Sequence, residues 1–318
     1  MDTTLVTGAS GFIGSHLMRK LKRRGLPARG VSRQALPGMM HVPSYGPDCD
    51  WREHLKGIRT VVHLAARVHV MHEMADDPLA QFRHANVAAT ANLARQAAAA
   101  GVKRFVFLSS IKVNGERTEP GKPFKADDLP NPQDPYGVSK AEAEAALREI
   151  GRETGLEIVI IRPPLVYGQG VGGNFRSLMR WAARGVPSIF RKVKNRRSLV
   201  YVENLCDLLV TTLTHPNANR TFLVSDGEAL STHELLATLT SAFGRKPRSI
   251  PVSPAALRLL GSLAGRRPVV ERLLDSLEVD MSATRETLSW EPTPHRLDRI
   301  GRHGGSPLIV NAAPCDQA

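Results

Sequence analysis

Three polar residues in the middle of the chain have the types and the spacing needed for proton transfer. Tyr136 and Lys140 are four residues apart, so on a helix both side chains lie on one face, one turn apart. A phenol titrates near about pH 10, but an adjacent ammonium stabilises the phenolate and draws its pKa towards neutrality. Ser110 ends a predicted strand and can donate a hydrogen bond to a reacting oxygen. The three side chains therefore predict acid–base chemistry at a substrate oxygen.

A glycine-rich turn near the N-terminus predicts a site for an anionic group. Gly8, Gly11 and Gly14 follow a short apolar strand and lead into a helix pattern. Gly8 allows a tight turn, Gly11 a close approach to a pyrophosphate, and Gly14 close packing of helix on strand. Phe12 and Ile13 start that helix, where backbone N–H groups and the helix dipole favour an anion. A strand before the glycines and a helix after them predict a dinucleotide site.

The second predicted strand, residues 28–32, indicates which dinucleotide is bound. Sites that prefer NAD carry an Asp or Glu about 20 residues beyond the glycines, on the ribose 2′-hydroxyl. Ser32 and Arg33 stand there instead, and a hydroxyl with a guanidinium suits a 2′-phosphate. The predicted cofactor is therefore NADP, with NAD possible. Leu64, Ala65 and Ala66 end the next buried strand, where small side chains let a dinucleotide lie against the backbone.

The elements that position these residues alternate between strand and helix up to residue 165. This alternation predicts an α/β protein with a Rossmann-type, doubly wound parallel sheet. Beyond it, residues 199–213 and 221–225 are expected to return to the sheet. The predicted domains are a cofactor domain of residues 1–165 and 196–226, a smaller C-terminal substrate-binding lobe of residues 166–195 and 227–300, and a loose tail at residues 301–318. The main predicted helices are residues 77–100, 136–153, 231–242 and 254–265.

Composition argues against several other classes of protein. The net charge of +13 would suit a nucleic acid, but the charges are scattered and aromatic residues make up only 5% of the chain. We therefore expect no nucleic-acid partner. No apolar run of about 18 residues indicates a membrane span, and three widely spaced cysteines suit a reducing, cytoplasmic location. His69 and His72 have a possible metal spacing without further ligands nearby, so we predict no metal site.

The glycine turn and Ser110 combine with two further segments, Tyr-Gly-Val-Ser-Lys at residues 136–140 and Arg-Pro-Pro-Leu-Val-Tyr-Gly at residues 162–168. In this combination the chain resembles the extended short-chain dehydrogenase/reductases, in particular the nucleotide-sugar epimerases, dehydratases and 4-ketoreductases. The resemblance implies a catalytic set of Ser110, Tyr136 and Lys140, with Lys140 also on the nicotinamide ribose. It assigns further residues to ligands: Asn86 and Pro163 near the cofactor, and Lys112, Asn174, Arg197, Arg272 and Asp275 on the nucleotide-sugar.

The resemblance also separates the reactions that this family performs. A 4,6-dehydratase carries an acid–base carboxyl pair directly after the serine, where this chain has Ile111 and Lys112, so dehydration is not expected. A 4-ketoreductase and a 4-epimerase share the same three catalytic residues. Ser32 and Arg33 favour NADPH, which is exchanged after each reaction. The predicted reaction is therefore reduction of the C4 keto group of a UDP-4-keto-6-deoxy-(N-acetyl)hexosamine in the synthesis of surface polysaccharides. The alternative is 4-epimerisation of a UDP-sugar with NAD.

Two hypotheses from other classes stay open. One is a reductase of lipophilic ketones, which would not need Arg197 and Arg272. The other is an NADP-binding sensor without catalysis, which the presence of both Tyr136 and Lys140 disfavours. The resemblance also implies a homodimer that forms through the helices predicted at residues 77–100 and 136–153.

Overall fold

The chain folds around a seven-stranded parallel sheet, as the computed structural model shows for residues 2–68 and 77–294. The strands are short and apolar because helices cover both faces of a parallel sheet. The strands of this sheet are β1 (Thr3–Thr7), β2 (Ala28–Ser32), β3 (Met39–His41), β4 (Ile58–His63), β5 (Arg104–Leu108), β6 (Glu157–Arg162) and β9 (Thr221–Leu223), while β7 (Leu165–Tyr167) and β8 (Leu199–Tyr201) form a separate parallel pair.

The helices begin and end at residues suited to capping. Asp134 accepts a hydrogen bond from the Gly137 N–H, Ser231 accepts one from the Glu234 N–H, and Gly155 ends a helix with φ of 73°. The helices are α1 (Phe12–Arg23), α2 (Arg52–Leu55), α3 (Pro78–Phe82), α4 (Ala89–Ala99), α5 (Pro135–Thr154), α6 (Gly173–Arg184), α7 (Val202–Thr212), α8 (Thr232–Ala242), α9 (Pro254–Leu263), α10 (Arg267–Leu274) and α11 (Ser282–Leu288).

Alternate residues of each strand enter two different cores, because successive side chains point to opposite faces of a sheet. Val6 and Val62 belong to the core that also contains residues of α1 and α7. Leu5 and Val61 belong to the core that contains residues of α4 and α5. The sheet is therefore the middle layer of three.

The strand order places the predicted cofactor turn at the switch point of the sheet. The order is β3-β2-β1-β4-β5-β6-β9, so the chain winds in one direction from β1 to β3 and in the other from β4 onwards. Val6 of β1 lies opposite both Gly30 of β2 and Val62 of β4. Ligands of such sheets bind where the carboxyl ends of the strands meet this reversal. The predicted Rossmann-type α/β fold is confirmed.

Two sequence predictions differ from the structure. Residues 199–213 do not return to the main sheet: β8 pairs with β7, and α7 follows at once and packs on α1. The long helix predicted at residues 77–100 is interrupted by a π-helical segment, Arg83–Ala88, between α3 and α4. Both features depend on tertiary packing, which the apolar pattern of these segments does not encode.

A third core lies apart from the main sheet. Phe175 and Met179 of α6 pack there with Leu235 and Leu239 of α8 and with Leu274 at the end of α10. Within residues 2–68 and 77–294, no helix has the length and apolarity needed to span a membrane, and no three potential metal ligands come together. His69, His72 and the predicted tail at residues 301–318 lie outside the described residues.

Candidate active site

The turn after β1 is packed so closely that glycine is required at two positions. Gly8 has φ of +67°, and a Cβ there would lie 2.9 Å from the backbone nitrogen of Ala65. A Cβ on Gly14 would overlap the carbonyl oxygen of Gly8. Gly11 precedes α1, and neither a side-chain cap nor an acidic residue occupies the first turn of that helix. The N-terminus of α1 therefore fits a pyrophosphate, which would satisfy its backbone donors.

The other residues predicted to hold a dinucleotide beside this turn lie next to one another. Phe12 and Ile13 form the first turn of α1 and are partly buried. Leu64, Ala65 and Ala66 follow β4 directly, and the Leu64 N–H donates a hydrogen bond to the last residue of β1 at 3.3 Å. The structure thus brings the two predicted segments together along the carboxyl edge of β1 and β4.

Ser32 and Arg33 at the end of β2 occupy different environments. Ser32 is buried, its Oγ accepts a hydrogen bond from the Gln34 N–H at 3.1 Å, and it lies 3.3 Å from the Ser10 Oγ. Arg33 is exposed. The contact of both residues with a 2′-phosphate stays a prediction: Arg33 is at the surface, and the Ser32 hydroxyl contacts the adjacent turn.

Ser110 and Tyr136 approach each other from two different elements. Ser110 follows the end of β5 by two residues, and the Ile111 N–H beside it donates a hydrogen bond to the carbonyl oxygen of Pro163 at 3.0 Å. Tyr136 lies in the first turn of α5, which Pro135 and the Asp134 cap begin. Ser110 is close enough to the phenol to lower its pKa. The predicted residues Ser110, Tyr136 and Pro163 therefore belong to one site.

Lys140 is buried beneath Tyr136, one turn further along α5. Its Nζ donates a hydrogen bond to the carbonyl oxygen of Leu108 at 2.9 Å and lies 4.4 Å from the centre of the Phe107 ring. The same Nζ is 6.0 Å from the centre of the Tyr136 ring. Burial and, to a lesser degree, the nearby Lys140 charge lower the pKa of His63, whose Nδ1 is 2.7 Å from the Thr7 Oγ1. Lys140 therefore lies near both Tyr136 and the last residue of β4.

Burial acts on both titratable groups of the pair. It lowers the pKa of Lys140 to about 7, because the charged amine loses its hydration, although the Glu144 carboxylate opposes this shift. Burial and the nearby Asp134 carboxylate raise the pKa of Tyr136, which the interaction with Ser110 partly offsets. The phenol is thus held protonated, as a proton donor must be before it reacts.

Asn86 links the π-helical segment to the start of α5. Its Nδ2 donates hydrogen bonds to the Arg67 carbonyl oxygen and the Ser139 Oγ, both at 3.0 Å. The Ser139 hydroxyl in turn donates to the Tyr136 carbonyl oxygen at 2.8 Å. The extra residue of a π turn re-aims a side chain, and such turns are frequent at functional sites. Asn86 therefore supports the backbone that carries Tyr136. The link runs through Ser139, a residue that the sequence analysis did not select.

A buried ionic network behind the site was also missed. Glu144 receives hydrogen bonds from Arg162 at 2.6 and 2.8 Å and from the Ser109 hydroxyl at 2.6 Å. Arg162 also donates to the Asn114 Oδ1 at 2.9 Å. The network ties α5, β6 and the segment around Ser110 together. The sequence feature that could have indicated this network is Glu144, which follows Lys140 by four residues and so lies on the same, inner face of α5.

Of the residues predicted to bind the nucleoside diphosphate, three lie next to one another and one cannot be placed. Arg197 Nη1 donates hydrogen bonds to the carbonyl oxygens of Arg272 at 2.7 Å and Asp275 at 3.0 Å, so these three residues lie together. Asn174 lies at the start of α6, and its side chain is outside the described structure. The structure therefore unites the end of α10 with the segment before β8.

Lys112 lies between this group and the catalytic residues. Its Nζ forms ion pairs with Glu116 at 3.0 Å and, at very short range, with the Asp134 carboxylate. Burial lowers the pKa of Arg197, and the carboxylates of Asp275 and, least strongly, Glu116 oppose this shift. Charges of alternating sign thus connect the start of α5 with Arg197.

The chain is similar to known proteins over most of its length. The model of the NAD dependent epimerase/dehydratase family matches residues 4–225. A Vibrio cholerae protein named UDP-glucose 4-epimerase is 44% identical over 295 residues, covering 91% of this chain and 90% of that protein.

Two solved structures share the fold. The UDP-N-acetylglucosamine 4-epimerase of Bacillus cereus has a TM-score of 0.77 at 22% identity, covering 95% of this chain and 99% of that one. RMD from Pseudomonas aeruginosa, solved with NADPH, has a TM-score of 0.73 at 23% identity, covering 95% of this chain and 97% of that one.

Proposed function

Because the chain belongs to the NAD-dependent epimerase/dehydratase family and is an NAD(P)-dependent enzyme, we propose that it reduces a UDP-linked 4-keto-sugar with NADPH. The substrate class is a UDP-4-keto-6-deoxy-(N-acetyl)hexosamine, and the product is a sugar donor for surface polysaccharides. The observation that carries this proposal is Arg33, exposed at the end of β2 where a carboxylate would select NAD. A guanidinium binds a 2′-phosphate and so favours the cofactor that is exchanged at each turnover.

The side chains of the site divide the reaction between them. When bound, the reduced nicotinamide supplies the hydride that reaches C4 of the sugar. Tyr136 donates its proton to the carbonyl oxygen as negative charge develops there. Ser110 donates a hydrogen bond to the same oxygen, and Lys140 stabilises the phenolate that Tyr136 leaves. Asn86 and the Glu144–Arg162 pair keep these groups in place.

Arg197 and Arg272 bind the diphosphate, and Asp275 binds the uridine ribose. Guanidinium groups make strong, charge-assisted hydrogen bonds to phosphate oxygens, whereas a carboxylate accepts from ribose hydroxyls. Arg197 supports this assignment because its guanidinium is held by two backbone carbonyl oxygens and has a fixed position.

The test is to mix the purified protein with NADPH and a UDP-4-keto-6-deoxy-N-acetylhexosamine. We expect the absorbance of NADPH to fall with one hydride transferred per sugar, and no fall would reject the proposal. Arg33→Ser should raise KM for NADPH roughly 10-fold or more, because hydrogen bonds to a charged group contribute about 1.5–3 kcal/mol each. KM for NADH should stay within about twofold, which separates loss of the phosphate contact from general damage.

A second candidate is 4-epimerisation of a UDP-sugar, favoured by the 44% identity to the Vibrio cholerae protein. An epimerase holds oxidised cofactor tightly and returns the hydride to the same sugar. Conversion of UDP-glucose to UDP-galactose without added cofactor would support this candidate. Consumption of NADPH by the keto-sugar in the same preparation would support reduction.

A further inference from the structure

The segment from residue 235 to residue 270 has an unusual charge balance. It contains six Lys or Arg residues and no Asp or Glu, whereas the whole chain has 43 basic and 30 acidic residues. The segment covers most of α8, all of α9, and the first half of α10. Three of these six basic residues, Arg258, Arg266 and Arg267, lie on α9, on α10 or in the turn between them.

Helix α9 has one face against the protein and one face outside. Leu257 and Gly261 are buried, and Gly261 is so close to α10 that a Cβ there would lie 2.6 Å from a Val270 methyl carbon. On the other side of the helix, Leu259, Leu260 and Leu263 have exposed fractions of 62%, 58% and 77%. The pairing of α9 with α10 thus turns three leucines outwards.

Basic side chains surround these leucines. Arg258 is on α9, Arg266 is in the turn before α10, and Arg267 is the first residue of α10, where it pairs with Glu271 at 2.8 Å; all three arginines are exposed. Val269, 49% exposed, continues the apolar surface on α10. We call this surface, formed by α9, α10 and the turn between them, the leucine–arginine surface. Exposed apolar groups of this size mark a contact surface when they are grouped.

We propose that the leucine–arginine surface binds the headgroup region of an anionic lipid bilayer. Aliphatic side chains that point outwards enter the boundary between headgroups and acyl chains, while neighbouring arginines meet the lipid phosphates. The long arginine stems allow the charges to remain in the headgroup layer. A nucleic acid would gain nothing from exposed leucines, and an acidic protein would need a recess to receive them.

This surface also leads to the predicted nucleotide end of the active site. Helix α10 has 8 residues, so it spans about 12 Å. It begins at Arg267 in the leucine–arginine surface and ends beside Arg272 and Asp275. A UDP-sugar released there would leave close to the bilayer, where a reaction that transfers the sugar phosphate to a membrane-bound acceptor would consume it. This last point depends on the proposed function, whereas binding to the bilayer does not.

The experiment is sedimentation of the full-length protein with vesicles of phosphatidylcholine and phosphatidylglycerol, compared with phosphatidylcholine alone. We expect most of the protein to pellet with the anionic vesicles and at least tenfold less with the neutral ones. Leu259→Ser combined with Leu260→Ser and Leu263→Ser should abolish pelleting. Leu129→Ser, a matched control at a leucine 87% exposed elsewhere, should not.

Charge is tested separately from apolarity. Arg258→Glu with Arg266→Glu should weaken vesicle binding at least tenfold, whereas the equally charged control Lys22→Glu with Arg152→Glu should bind as the wild type does. Hydroxyl-radical footprinting should show the three leucines protected only when vesicles are added. Protection without vesicles would overturn the proposal, because it would mean that the chain itself or a second copy covers the surface.

Two further outcomes would also overturn it. One is recovery of the wild-type protein in the supernatant with anionic vesicles. The other is a change of oligomeric state in the leucine variant, measured by sedimentation velocity, which would identify the surface as an interface between copies. Turnover in solution is a separate readout: an enzyme that reduces the keto-sugar but ignores vesicles refutes only the membrane proposal.

Discussion

Replacing Lys140 by Met should lower activity and raise stability at the same time. The substitution keeps the length and volume of the side chain but removes its charge. Lys140 is buried, and its Nζ lies 6.0 Å from the centre of the Tyr136 ring. At this distance and an effective dielectric constant of about 20, a unit charge stabilises the phenolate by about 3 kcal/mol. Its loss should make the phenolate harder to form and reduce kcat on the order of 100-fold at neutral pH.

The gain in stability comes from the cost of burying the ammonium. Burial lowers the pKa of Lys140 to about 7 from its ordinary 10.5. Between these values the unfolded chain holds a proton that the folded chain has released, so stability rises with pH across this window. Below about pH 7 the folded protein carries a buried charge at a cost of about 5 kcal/mol. Met removes that cost but leaves the Leu108 carbonyl oxygen without its donor, a loss of about 1–3 kcal/mol.

The net expectation at pH 6 is an increase of about 2 kcal/mol in the free energy of unfolding, measured by urea denaturation without cofactor. The increase should disappear above about pH 10, where neither state of the wild type keeps the proton. Lys22→Met, at an exposed lysine on α1, is the control and should change neither quantity. If Lys140→Met destabilised the protein at pH 6, the buried ammonium would be a stabilising group and the reasoning would be wrong.

Three more substitutions test separate parts of the account. Glu144→Gln should lower the free energy of unfolding by about 3 kcal/mol because it leaves Arg162 buried without its carboxylate; a loss below about 1 kcal/mol in urea denaturation would argue against the network. His63, buried with a pKa lowered to about 3, is neutral in the folded protein while the unfolded chain protonates it below about pH 6.5. His63→Gln should therefore flatten the loss of stability on acidification from pH 6 to pH 4, and an unchanged slope would contradict this. Arg197→Ala should raise KM for the UDP-sugar about 10-fold or more with little change in kcat, whereas an unaffected KM would favour a substrate without a diphosphate.

The sequence was sufficient for the parts of the site that depend on local spacing. Gly8 and Gly14 are required by contacts within one turn, and the distance from Tyr136 to Lys140 follows from the helix period. The alternation of strands and helices then places Gly8 and Ser110 at one edge of the sheet, which the strand order confirms. The family and the fold were predicted correctly for the same reason. The individual ligand contacts of these residues stay predictions.

The parts that sequence reasoning missed depend on partners that are distant along the chain. Leu199–Tyr201 has the apolar pattern of a buried strand, but it pairs with Leu165–Tyr167 instead of the main sheet, and α7 after it packs on α1. In the sequence Glu144 is an ordinary helix carboxylate, because its partner Arg162 belongs to a different element, β6. Ser32 stays a predicted phosphate contact, but the 3.3 Å contact of its hydroxyl with the Ser10 Oγ was not indicated by the sequence. In each case the pattern gives the element and tertiary contacts decide its neighbours.

The central claim is that Tyr136 gives its proton to the oxygen on the carbon that receives the hydride. The most direct test is the single-turnover rate of Tyr136→Phe with NADPH and the UDP-4-keto-sugar, together with the dissociation constant for NADPH. Removing one hydroxyl should slow hydride transfer by about 10²- to 10⁴-fold and leave the NADPH dissociation constant within about threefold of the wild type. A rate within a few fold of the wild type would show that another group supplies the proton.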